Sequence, residues 1–115
     1  MKHEFGYTRD CLTVDGRPWF PVMGEMHYSR YRDAFWEESL RKMKAGGISI
    51  VSTYVIWIHH EEEEGRFDFS GCRDVGRFVE LCRRVGLAVW LQLGPWVHGE
   101  VRNGGFPDSL TEMGK

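Results

Sequence analysis

At 115 residues, 42% hydrophobic and 14% aromatic, the chain has material for one core and at most one domain, which excludes a disordered tail. A formal net charge of −2, with 15 Lys and Arg interleaved among 17 Asp and Glu, excludes a basic field for nucleic acid. No window approaches about 20 apolar residues, so no membrane-spanning helix is expected. The opening Met1-Lys-His-Glu-Phe lacks the apolar centre of a signal peptide, an absence that leans toward the cytoplasm and leaves the compartment unknown.

In chain order, Leu12-Thr-Val14-Asp15-Gly16-Arg-Pro-Trp19 reads as a β-hairpin, since Asp-Gly supplies the positive φ angles of a tight turn between apolar runs. Pro18 cannot donate to a ladder, which places this hairpin at an edge, capping one end of the fold. A first strand follows at Val22-Met-Gly-Glu25. Asp33 is then the expected N-cap of a helix running to Ala45, with Trp36, Leu40 and Met43 as its buried stripe and Gly46-Gly47 as its stop.

The run from Ile48 to Ile56 is β-branched and nearly continuous, as a strand buried on both faces of a parallel sheet requires. A second helix is expected after Ser70-Gly71, with Val75, Phe78, Val79, Cys82 and Val85 on one face and Gly86 at its end. Ala88 to Leu93 gives a third strand, and beyond Pro107 one turn of helix is expected. The result is strand, helix, strand, helix, strand, with right-handed crossovers between parallel neighbours and the last strand left uncovered. That open edge is the reason to expect a piece of something larger. Cys11, Cys72 and Cys82 are odd in number and read as reduced structural thiols.

Each strand end carries the same mixture of groups. Glu25, His27, Tyr28 and Arg30 follow the first strand; Tyr54, Trp57, His59, His60 and Glu61 the second; Gln92, Trp96, His98 and Glu100 the third. Ligands of parallel α/β folds collect at the carboxyl ends of strands, so these clusters define one candidate rim. Three readings compete for it. The histidines and carboxylates could ligate a metal, but no His-Glu-x-x-His pair occurs, and His59-His60 on a strand would point to opposite faces. They could instead be hydrogen-bonded within a packed rim. Carbohydrate fits the same set, because sugars offer apolar faces to Tyr28, Tyr54, Trp57 and Trp96 and hydroxyls to Glu61 and Glu100.

Longer motifs then point in one direction: Val14-Asp-Gly-Arg-Pro18, Gly24-Glu-Met-His-Tyr-Ser-Arg30, Leu40-Arg-Lys-Met-Lys-Ala-Gly46, Thr53-Tyr-Val-Ile-Trp57, Gly65-Arg-Phe-Asp-Phe-Ser-Gly71, Gly94-Pro95 and Gly104-Gly-Phe-Pro107. With these the sequence resembles the N-terminal part of the catalytic domain in glycoside hydrolase family 35, the β-galactosidases, from about Leu12 to Leu110.

The resemblance implies the first three βα units of a (β/α)₈ TIM barrel preceded by the β-hairpin, with the chain as the N-terminal portion of a domain of about 250 residues. It implies retaining hydrolysis of terminal β-galactosyl residues, with two carboxyl groups about 5 Å apart. Those two catalytic glutamates follow the fourth strand and lie on the seventh, so no catalytic residue is expected in this chain and both fall beyond Lys115. By motif position Tyr54 and Glu100 match residues that contact galactose hydroxyls; His60, Glu61 and Trp96 are further substrate-binding candidates. The implied partners are a β-galactoside-containing oligosaccharide or glycan and the remainder of the barrel, with no cofactor and no metal. Ile58, Gln92, Trp96 and Val101 depart from the usual family pattern, which leaves the sugar and its linkage open. A non-catalytic carbohydrate-binding fragment is the alternative reading.

Overall fold

The computed structural model describes residues 2–114, arranged as two three-stranded sheets and four helices. The first sheet is antiparallel and comprises β1 (Phe5–Tyr7), β2 (Leu12–Val14) and β3 (Arg17–Trp19), in that spatial order. Asp15 and Gly16 adopt φ of 50° and 74°, the paired positive angles of the expected tight turn. Pro18 lies on the edge strand β3, where its missing N–H breaks no ladder. The sequence reading missed β1 because it is short and centred on Gly6; there the missing side chain matters, since a Cβ would stand 3.0 Å from Thr13 Oγ1.

The second sheet is parallel. It comprises β4 (Met23–Glu25), β5 (Ile50–Val55) and β6 (Ala88–Leu93), in sequential order, as the crossover argument requires. Helix α1 (Trp36–Ala45) connects β4 to β5. The four-residue turn α2 (Trp57–His60) follows β5, α3 (Val75–Val85) leads into β6, and α4 (Asp108–Met113) is the last element. Both crossover helices cover one face of the sheet. Trp36 and Leu40 from α1, Phe78, Leu81 and Cys82 from α3, Val51 from β5 and Tyr28 form the main core, with Tyr28, Trp36 and Phe78 packed ring on ring.

Two helix starts differ from the expectation. Asp33 does not cap α1: it opens a 3₁₀ turn, and its carboxylate instead pairs with Arg77 on α3 at 2.6 Å, tying the two helices together. Helix α3 begins four residues later than Gly71, because Asp68 holds Ser70 through both its N–H and its hydroxyl, and Asp74 accepts the Arg77 N–H as the true N-cap. Its C-terminus ends as read, with Gly86 at φ 86°. No described helix is long and apolar enough to cross a membrane.

Candidate functional site

Alternation along β5 sets the geometry. Val51 and Thr53 point to the helix-covered core, so Ser52 and Tyr54 point to the other face, joined in register by Glu25 on β4 and by Trp90 and Gln92 on β6. Tyr54 stands at the carboxyl end of that face. Its ring stacks on His27, with centroids 5.1 Å apart, and its backbone N–H donates to His27 Nδ1 at 3.2 Å. Nδ1 therefore accepts, and the neutral His27 ring carries its proton on Nε2, which lies 3.9 Å from Glu25. Burial holds His27 below the ordinary histidine value, against the opposing pull of Glu25.

Glu100 reaches the rim from the loop after β6. Its backbone has a φ of 51°, an unusual value for a residue with a side chain. Arg30 holds that conformation by donating from Nη2 to the Glu100 carbonyl at 3.0 Å, across 70 residues of sequence. Beside it, Gly99 lies close enough to Tyr54 that a Cβ would stand 3.4 Å from the ring. Thus Tyr54 and Glu100 are brought to one neighbourhood by packing.

Trp96 is also at the rim, more than half exposed. Its indole packs against His98 and lies over Gly104, where a Cβ would approach to 2.3 Å. Gly104 has a φ of 62°, so both space and backbone demand glycine.

The structure places His60 and Glu61 beneath the rim, where their polar atoms are engaged inside the protein. His60 is 3% exposed; its Nδ1 donates to the Asp68 carbonyl at 3.0 Å, and its Nε2 accepts from the Tyr28 hydroxyl at 2.6 Å. Burial pushes the Tyr28 phenol up to about 12, which keeps it a donor. Glu61 accepts from Trp57 Nε1 at 2.5 Å and from the Gly65 N–H at 2.7 Å. His59 and His60 lie on a helical turn, not on a strand; His59 Nδ1 hydrogen-bonds Ser29 Oγ at 2.7 Å. Among the described residues no three His, Cys, Asp or Glu side chains converge on a point where a metal could sit. Sequence reasoning left the organising part of Arg30 and Gly99 unread, because both act on backbone geometry that no local pattern displays.

Parallel βα units here bring aromatic rings, a histidine and carboxylates to one set of strand ends, the side of a parallel α/β sheet on which ligands collect. Comparison with known proteins carries this further: the family model described as Glycosyl hydrolases family 35 matches residues 11–115. Similar proteins include the "Beta-galactosidase" of Pongo abelii, 40% identical over 109 residues, covering 95% of this chain and 16% of that protein. That of Mus musculus is 41% identical over 109 residues, covering 95% and 17%. "Beta-galactosidase 8" of Arabidopsis thaliana is 39% identical over 101 residues, covering 88% and 12%. The chain belongs to glycosyl hydrolase family 35, and it spans about one sixth of the length of the mammalian relatives it matches.

Proposed function

We propose that residues 1–115 are the N-terminal portion of a (β/α)₈ barrel, contributing its first three strands, two crossover helices and part of the sugar-binding rim. The full protein is a retaining β-galactosidase that hydrolyses terminal β-galactosyl residues of an oligosaccharide or glycan. The observation that carries this reading is the family match over residues 11–115, joined to the placement of Tyr54 and Glu100 at neighbouring strand ends.

In this reading Tyr54 and Glu100 contact galactose hydroxyls, the tyrosine through its phenol and the glutamate through charge-assisted acceptance. Trp96 offers an apolar face to a sugar ring. His60 and Glu61 support the rim from below: they fix Tyr28 and the Trp57 to Gly65 loop. The acid/base and nucleophile glutamates belong to later strands of the barrel, so this portion binds and orients substrate while the chemistry is supplied elsewhere.

The test is hydrolysis of an aryl β-galactoside by the full-length protein, with Tyr54→Phe and Glu100→Gln as variants. Each variant is expected to lower kcat/KM by about tenfold or more, since each removes a hydrogen bond to the substrate. Saturable glycan binding with no hydrolysis would favour the non-catalytic alternative. Hydrolysis by the isolated 115 residues, abolished by Glu100→Gln, would overturn the assignment of the catalytic pair to the rest of the barrel.

A further inference from the structure

The sheet face that carries Tyr54 also carries a polar girdle that the reading above leaves unused. Glu25 pairs in register with Ser52, and Tyr54 with Gln92, so side chains from three adjacent strands stand on one face. Gln92 Nε2 donates to Ser52 Oγ at 2.5 Å and to Glu25 Oε1 at 3.2 Å. Both hydrogens of its amide are thereby engaged, and the side chain reaches across β5 to restrain a carboxylate on β4.

Glu25 has no Lys or Arg partner among the described residues, and half of its side chain is exposed. Its ion-pair neighbour His27 faces Tyr54 with Nδ1 and Glu25 with Nε2 at 3.9 Å, and burial disfavours the charged form of that ring. A carboxylate oriented by an amide, beside a neutral imidazole and on the Tyr54 face, retains acceptor capacity for hydroxyl donors. A site built to hydrogen-bond a substrate hydroxyl also rejects the analogue that lacks it.

We propose that Glu25 is a further sugar-contacting residue, held in place by Gln92, which accepts a hydroxyl of the same sugar that Tyr54 and Glu100 contact and so sets which hydroxyl pattern the site takes. This rests on the sugar-binding reading of the rim. Gln92 is a positioning residue in this arrangement, acting through Glu25.

The experiment uses the full-length protein, its Glu25→Ala and Gln92→Ala variants, and aryl β-galactosides lacking one hydroxyl at a time. Wild type is expected to lose about tenfold or more in kcat/KM on the monodeoxy substrate whose hydroxyl Glu25 accepts. Glu25→Ala is expected to lose a similar factor on the parent sugar and nothing further on that one monodeoxy substrate, while the losses add on the others. Gln92→Ala should show the same pattern, weakened. A merely structural role for Glu25 would give losses that add on every substrate, and that result, or an unchanged kcat/KM in Glu25→Ala, overturns the inference alone. A full-length protein that hydrolyses and binds no aryl glycoside overturns the sugar-binding reading and the inference with it.

Discussion

Glu61 accepts two hydrogen bonds while only 8% exposed, so its loss should be felt in stability. Glu61→Ala leaves Trp57 Nε1 and the Gly65 N–H without their acceptor and should lower stability by about 2–4 kcal/mol, read from the urea midpoint of the full-length protein. An unchanged midpoint would mean that water replaces the carboxylate freely. Cys82 makes the opposite kind of prediction: burial pushes its thiol up to about 12, so in the native protein it should resist alkylation that unfolding permits. Near neutral pH, acid sensitivity comes from the histidines. Burial lowers both His27 and His59 below the usual 6.5, so the unfolded chain takes up these protons first as pH falls. Their contribution is therefore intact above about pH 7.5, begins to fall near 6.5 and is lost as pH passes through the lowered folded values, and thermal melts from about pH 7.5 downward should show stability falling with acid. A melting temperature that rises from pH 7 to 5.5 would contradict the burial of these rings.

Among elements, α3 and β5 were legible because their signals are periodic and apolar. Of the predicted stripe Phe78 and Cys82 are fully buried while Val75, Val79 and Val85 are half-buried, Leu81 being the core residue that stripe missed; the apolar Ile50–Val55 run is the covered strand it reads as. The turn α2 was not legible: Trp57-Ile-His-His60 has no period of its own, and what bends it is tertiary, with Ile58 buried beside Ile56 and His60 locked between Tyr28 and Asp68. Helix starts failed for a similar reason. Asp33 has the side chain of a cap but is drawn to Arg77 of α3, while Asp74, unmarked by any local pattern, accepts the Arg77 N–H and caps α3. Asp74→Ala should accordingly cost about 1 kcal/mol, while Asp33→Ala, half of an ion pair near the surface, should cost under about 1 kcal/mol. Equal denaturation midpoints for the two variants would reverse this assignment. The site divides the same way. Tyr54 and Glu100 are candidates by motif position alone, whereas Arg30 reaching the Glu100 carbonyl and Gln92 bridging β4 to β6 depend on crossovers that only folding creates.

Across the whole molecule large apolar groups stand in solvent: Phe20, in the β3–β4 connection, at 93%, and Leu93 and Trp90 of β6 at 72% and 59%. A cavity of about 750 Å³ opens between the small antiparallel sheet and the N-terminal ends of β5 and β6, lined by Phe5, Leu12, Trp19, Ile50, Leu87 and Trp90. Together with the unpaired edges of β4 and β6, such surface drives association. The isolated 115 residues are expected to run larger than a monomer on size-exclusion chromatography with light scattering; a monodisperse monomer with one sharp melting transition would contradict this. The proposed retaining chemistry is read by proton NMR of an aryl β-galactoside during hydrolysis by the full-length protein. β-Galactose is expected first, mutarotating to the α anomer afterwards, as a double-displacement route requires. First-formed α-galactose, or no hydrolysis, would contradict it.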